Sequence, residues 1–447
     1  MFPPYVKVVR TLQMEMKRWR LRPSACALLL GSALLVLLFY VGLWCSASMG
    51  LPDAELRLDP SEDGAAAAQG RMFYGIMFDA GSTGTRIHVF IFKQLNKANL
   101  PELTSEVFLS MKPGLSAYAD HPEQSVQSIE ELLAKAKKAI PETQWQETPV
   151  VLRATAGLRL LPGRKADVLL EQVRNVFDRS PFKVPKNSVE IMDGANEGIS
   201  SWITINFLLG ILRGPEDKLF GILDLGGGST QVTFLPQKQV RSMYSASDAD
   251  VTSFKMFNKT FKIYSHSYLG LGLMSARLDI LGGDPGEAGG RRLLSPCLPS
   301  DYKGEWKQSS VTYLIGGQKG GGFSLCAMKV EKMLSGKVEQ PGGIHQQHFY
   351  AFSYYFDRAV ESGLIAPEGG TLKVGDYEDK AKSVCDGKQA IKGADPFLCM
   401  DLAYIAGFLQ KGLGFSRDTP LQLAKKINNV ETAWALGETF HFIDFMR

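Results

Sequence analysis

Two segments of this chain repeat one pattern. Residues 76–90 read IMFDAGSTGTRIHVF and residues 222–234 read ILDLGGGSTQVTF. Each is a short apolar strand ending at an aspartate, then glycines and hydroxyl residues, then a second strand. Glycine lets the backbone approach an anion closely, and successive N–H groups with hydroxyls can surround phosphate oxygens. Asp79 and Asp224 each add a hard oxygen at the same point, suited to Mg²⁺ or Ca²⁺, usually through water. No G-x-x-x-x-G-K-[ST] occurs anywhere, so neither segment is a Walker loop. Two ligand-free Gly-rich turns are the plain alternative, and the matched aspartate and hydroxyl positions argue against it. The repeat predicts a duplicated α/β domain whose two hairpins face each other across a cleft.

The segments between agree with an α/β class. Strands are expected at 73–78 and 87–92 around the first turn. Helical periodicity over 123–140 ends at Pro141, and a second amphipathic helix is expected over 164–180. The stretch 149–162 begins as a buried strand. The stretch 189–212 passes from strand to turn to helix, with Asp193 or Asn196 as N-cap. Strands alternating with helices argue an α/β class.

At 447 residues the chain exceeds one ordinary core, so two domains are expected. Its charge of +4 is concentrated at one end: the first 23 residues carry six Lys/Arg against Glu15, a net +5, which leaves −1 for the remainder. That remainder has no basic footprint for nucleic acid. Residues 25–44 follow without a charge, long enough as a helix to span roughly 30 Å of hydrocarbon. Positive residues before the span keep the N-terminus cytosolic and send the rest outward. The expected organisation is a basic tail (1–23), a transmembrane signal-anchor (24–45) and a small-residue stalk (46–71). Cleavage near Cys45–Ser48 and secretion is the alternative; both readings place the body outside the cytosol.

Cys297, Cys326, Cys385 and Cys399 are an even set beyond the anchor. Pairing neighbours, 297 with 326 and 385 with 399, closes the two shortest loops, with free buried thiols as the alternative. No CxxC spacing supports a metal. His345 and His348 have a possible metal spacing but no third ligand nearby, which favours a surface pair. Asn258 in NKT is the one N-glycosylation sequon. The glycine-dense run 316–324 lacks a preceding Asp strand and reads as a flexible loop. The aromatic run 348–359 could stack a planar base or form a buried helix.

Six ordered motifs then resemble a known family. DAGSTGTR (79–86), RATAGLRLLP (153–162), GANEGISSWITINFLLG (194–210) and LDLGGGSTQ (223–231) are similar to the first four apyrase conserved regions of the nucleoside triphosphate diphosphohydrolases. The aromatic run and NNVETAWALG (428–437) resemble the later regions. The resemblance covers 72–447 and is strongest to the type 6 members, with type 5 next. It implies an actin-like fold of two ribonuclease-H-like lobes, 72–193 with 426–447 and 194–425, with the nucleotide between them. It also implies a Golgi-membrane or secreted apyrase that removes the terminal phosphate of nucleoside di- and triphosphates by direct attack of water.

Carried over by position, Asp79 and Asp224 would hold Ca²⁺ or Mg²⁺ through water. Ser82, Thr83, Gly84, Thr85, Arg86 and Arg159 would contact one phosphate, and Gly226, Gly227, Gly228 and Ser229 the other. Thr155 would line the site, Gln231 would sit close to the metal shell or the attacking water, and Glu197 would be the general base, with Gly194 and Gly198 leaving room for water and phosphate. Tyr354 and Tyr355 are the expected base contacts. The surface triphosphatases carry a histidine where this chain has Gly84 or Thr85, so the first loop resembles that of diphosphate-preferring members. A slow actin- or heat-shock-like nucleotide-binding module is the alternative, weakened because no substrate-binding domain follows the lobes.

Overall fold

The structure, a computed structural model, describes residues 70–95, 100–237, 250–285, 290, 292–308, 311–387 and 395–443. The expected tail and membrane segment, and the stalk up to residue 69, lie outside these residues. Among the described residues no helix is long and apolar enough to cross a membrane.

Strands β1 (Arg71–Ala80), β2 (Thr85–Gln94) and β3 (Glu102–Met111) form an antiparallel meander. Helix α1 (Ser125–Ala139) leads to β4 (Val150–Ala154), which runs parallel to β1. Helices α2 (Ala156–Arg159) and α3 (Lys165–Asp178) then lead to β5 (Val189–Ile191), parallel to β4. The sheet order is β3-β2-β1-β4-β5. In α1 the buried residues Ile129, Leu132, Leu133 and Ala136 recur at helical spacing, and Leu169, Leu170, Val173 and Phe177 do so in α3. Those stripes pack on Ile76, Phe78, Val89 and Leu152 of the sheet and form one core.

After α4 (Gly194–Leu208) the pattern recurs. Strands β6 (Gly221–Leu225) and β7 (Ser229–Phe234) form the second hairpin, joined by β8 (Val251–Met256) and β9 (Lys259–Leu269). Helix α5 (Leu273–Leu281) opens an insertion in which β10 (Leu293–Ser295), β11 (Lys303–Gln308) and β12 (Val311–Gly317) make a separate small sheet. Helix α6 (Phe323–Leu334) returns the chain to β13 (Phe349–Ser353), parallel to β6. There follow α7 (Tyr354–Glu361), β14 (Gly370–Lys373), α8 (Val374–Cys385), α9 (Leu398–Gly407) and β15 (Pro420–Leu423). The order β14-β15-β13-β6-β7-β9-β8 repeats that of the first sheet, with β6, β7, β9, β13 and β15 in the places of β1 to β5 and one added strand at each edge. The aromatic run is therefore neither a helix throughout nor a flat platform; it changes from strand to helix at Ser353.

Helix α4 lies between the two sheets. It is buried on nearly every side, which explains why its sequence shows no polar stripe. Trp202, Ile203 and Ile205 pack with Met77, Phe90 and Val151 of the first sheet and with Ile222, Ile263 and Phe352 of the second. The chain ends with a small ladder, β16 (Lys426–Ile427) and β17 (Val430–Glu431), and α10 (Ala435–Thr439), which packs back on α4 and β1. Both expected disulfides are formed, Cys297–Cys326 and Cys385–Cys399. Asn258 is exposed in the turn between β8 and β9, with a φ of 65°. His345 and His348 are exposed ahead of β13, as expected of a surface pair.

Candidate active site

The hairpin registers place the two aspartates identically. Asp79 on β1 stands opposite Arg86 on β2, and Asp224 on β6 stands opposite Gln231 on β7. Each turn closes with the same hydrogen bond, Gly81 N donating to Gly84 O and Gly226 N to Ser229 O, both at 3.0 Å. The turns meet face to face: a Cβ on Gly227 would fall 2.4 Å from Ser82 Oγ, so only glycine permits this approach. Ser82 and Thr83 form the tip of the first turn, while Thr85 and Arg86 already belong to β2. Thr155 follows β4 immediately, and its N–H donates to Ala80 O, which seats the start of α2 beside the first turn. Gly228 lies against Ala156 on that same segment.

Asp79 is 5% exposed and Asp224 6%. Arg86 Nη1 donates to Asp79 Oδ2 at 2.6 Å, while Asp79 Oδ1 is buried without a protein partner. Burial pushes the Asp224 carboxyl up to about 6, held down by the Ser353 side chain and raised further by the charge of Asp79. Two buried carboxylates that repel each other, one with an unpartnered oxygen, fit a hard divalent cation.

Glu197 lies in the first turn of α4, behind an N-cap in which Asp193 Oδ1 accepts from the N–H groups of Ala195 and Asn196. Its carboxyl is pushed up to about 8, first by burial, against the lowering effect of Arg159 and with Asp224 and Asp79 adding to the rise. Arg159 Nη2 donates to Glu197 Oε2. Gln231 Nε2 donates to Ser229 Oγ at 2.8 Å, to Ser267 Oγ at 2.9 Å and to Glu197 Oε2 at 3.3 Å. Two amide protons cannot serve three acceptors at once, so the long bond to Glu197 is the one that yields to a water.

Several sequence expectations change here. Arg159, expected to line the site on a phosphate, also bonds the carboxylate of Glu197. Gly194 and Gly198 make no room for solvent. A Cβ on Gly194 would meet Ser267 Oγ at 2.3 Å, and one on Gly198 would meet Thr233 Oγ1 at 2.3 Å, so both glycines let α4 settle on the second sheet. Tyr355 is fully buried with its hydroxyl unpartnered, and presents no face to a nucleobase. Tyr354 is half-buried beside the cleft, and its hydroxyl bonds Thr83 of the opposite turn. Two residues were missed. Ser267 reaches the site from β9, paired opposite Gln231. Ser353, at φ 57° and ψ −129°, joins β13 to α7 in a conformation costly for a residue with a Cβ, and sets its side chain beside Asp224. Neither carries a local sequence signal.

Comparison with known proteins places these residues in context. The model of the GDA1/CD39 (nucleoside phosphatase) family matches residues 66–447. The chain is 52% identical over 374 residues to the nucleoside diphosphate phosphatase ENTPD5 of Homo sapiens, covering 83% of this chain and 87% of that one. It is 53% identical over 380 residues to ectonucleoside triphosphate diphosphohydrolase 6 of Rattus norvegicus, covering 84% and 83%. Among solved structures, a nucleoside triphosphate hydrolase from Neospora caninum superposes with a TM-score of 0.58 at 15% identity, covering 85% of this chain and 94% of that one, which supports the α/β fold alone. The paired aspartate turns, the buried glutamate and the match across the whole described region agree: the chain is a hydrolase of the GDA1/CD39 nucleoside phosphatase family.

Proposed function

We propose that this protein hydrolyses the terminal phosphate of nucleoside diphosphates of the GDP, IDP and UDP class, releasing nucleoside monophosphate and phosphate, with triphosphates cleaved more slowly. The observation that carries the reading is Glu197, a buried carboxylate held by Arg159 and Gln231 next to two anion-binding turns. The first turn, with Gly84 and Thr85 in place of a histidine, and the name of the human relative both favour diphosphates. Delivery to the lumen of the Golgi on an N-terminal anchor, or secretion, fits the disulfides and an exposed Asn258 open to glycosylation.

The reaction needs a water activated opposite the leaving group. Gln231, with Ser229 and Ser267 on its amide, orients that water and turns its lone pair toward the terminal phosphorus. Glu197 takes the proton as the new P–O bond forms. The bridging P–O bond breaks, and its electron pair leaves on the terminal oxygen of the monophosphate. Ser82, Thr83 and Gly84 on one side and Gly226, Gly227 and Gly228 on the other hold the anionic oxygens in line, the larger part of catalysis in phosphoryl transfer. Asp79 and Asp224 would hold Ca²⁺ or Mg²⁺ through water; bound there, the ion neutralises phosphate charge and removes the upward push of both aspartates on Glu197. Arg159 opposes the effect of burial on Glu197 and so favours its ionised, proton-accepting form.

Glu197→Gln tests the reading, because it preserves shape but cannot take the proton. Phosphate release from GDP should fall at least about a hundredfold with nucleotide affinity retained. Near-normal kcat would place the base elsewhere. Equal kcat/KM for GDP and ATP in the unmodified enzyme would refute the diphosphate preference.

A further inference from the structure

The reading of Glu197 as the base raises a question of mechanics: what fixes a carboxylate carried on a helix caught between two sheets? On one side α4 rests on β7 and β9 through Gly194 and Gly198. On the other it meets the last helix of the chain, far away in sequence. A Cβ on Gly437 would fall 2.0 Å from Ser200 O, and Gly437 N donates to Thr204 Oγ1 at 2.9 Å. The next residue, Glu438, is 8% exposed and spends both carboxylate oxygens inside the protein. Oε2 accepts from Ser200 Oγ at 3.1 Å, and Oε1 accepts from Arg153 Nε at 2.9 Å.

Both of these partners lead to the reacting groups. Ser200 lies one helical turn after Glu197 on α4. Arg153 is on β4, paired opposite Asp79, and the chain runs from it through Thr155 into α2 and Arg159. Arg153 is itself fixed, donating from Nη1 to Asn187 O at 2.9 Å with its guanidinium 4.9 Å from the Phe442 ring. One buried carboxylate thus ties α4, whose first turn carries Glu197, to β4, from which the chain passes into α2 and Arg159. An ordinary helix-packing role would call for an apolar residue here, since a buried ion pair is a poor source of stability compared with well-packed hydrocarbon. Its directional bonds supply alignment instead.

We propose that Glu438 is a positioning residue for hydrolysis, setting Glu197 against Arg159 from behind through Ser200 and Arg153. The proposal rests on Glu197 being the base, and it assigns a catalytic consequence to a side chain that does not touch the substrate. A contact of this kind acts on the chemical step and leaves ground-state binding alone, so kcat should fall and KM should not move.

The test is a double-mutant cycle in the full-length enzyme, read by single-turnover phosphate release from GDP with excess divalent cation. The variants are Glu438→Gln, Ser200→Ala and Glu197→Gln, singly and with each of the first two added to Glu197→Gln. Ser200→Ala removes one hydroxyl and leaves the Arg153–Glu438 pair, so it is informative even if Glu438→Gln folds poorly. The expected result is a loss in kcat of about tenfold for Glu438→Gln and about threefold for Ser200→Ala, with KM within twofold, in line with small misplacements of reacting groups. In the Glu197→Gln background neither change should lower the residual rate further, because there is no longer a base to align. Losses of the same factor in both backgrounds would overturn the proposal, as would unchanged kcat in both single variants. Failure of the underlying reading gives a different result, Glu197→Gln alone retaining near-normal kcat.

Discussion

Replacing Arg159 separates two accounts of the site. In the structure the guanidinium bonds Glu197 Oε2 and opposes the burial that pushes this carboxyl up to about 8. Arg159→Ala removes a charge-assisted hydrogen bond worth about 1.5–3 kcal/mol. At 1.36 kcal/mol per pKa unit, that is a rise of roughly one to two units. A base works only when deprotonated, so activity is present above its pKa and lost as pH falls through it. With cation in excess, which masks the two aspartates that raise Glu197, kcat/KM of the unmodified enzyme should show an acid limb below pH 8, and the variant a limb about one to two units higher. On the acid side of both limbs the variant should be slower by about 10–100-fold, and most of that deficit should close at the alkaline end. The assay is initial-rate phosphate release from GDP across the pH range, with cation in excess. A deficit of constant size at every pH would refute the reasoning and favour the phosphate contact that the family resemblance implies for Arg159.

Two more perturbations test the surroundings. Asp224, pushed up to about 6 from 3.8, adds stability below its unfolded pKa that is lost as pH rises through the folded one. Asp224→Asn should therefore melt above the unmodified protein at pH 7.5 without added cation, converge with it near pH 4, and be inactive; a lower melting point at pH 7.5 would refute this electrostatic account. Gly198→Ala places a methyl 2.3 Å from Thr233 Oγ1 and 2.6 Å from Ser265 Oγ, which are bonded to each other. Relieving that contact moves α4 by ~1 Å, costing about 1–3 kcal/mol in packing. About 1 kcal/mol returns as helix propensity, while kcat should fall about a hundredfold. Unchanged kcat together with an unchanged urea midpoint would show that α4 is not tightly seated.

What could be read from the sequence was local. The two aspartate turns, the stripes of α1 and α3, and the Asp193 cap follow from spacing over a dozen residues, and the structure has all of them. The pairing of Cys297 with Cys326 and of Cys385 with Cys399 was also legible, because short loops cost least to close. Features set by distant chain segments were not. Helix α4 touches both sheets, so its glycines serve packing where they suggested solvent space. Arg159 meets a buried carboxylate 38 residues away, a partner that no local spacing suggested. Tyr354 and Tyr355 are adjacent in sequence, but a helix begins there and turns one toward the cleft and the other into the core. Ser267, Ser353 and Glu438 belong to no motif; register or a long-range bond brings each one to the site.

The two turns share a register but not their side chains. Facing its aspartate, one carries the fixed cation of Arg86 and the other the neutral amide of Gln231. A clamp with true twofold symmetry would accept a diphosphate in either orientation, and half of all encounters would present the nucleoside to the water. The side chains that differ between the two hairpins, Arg86 against Gln231 among them, make the two ends of the clamp chemically distinct. On the proposed function, that difference in charge would let the cleft distinguish the two ends of a diphosphate before any contact with Glu197 is made.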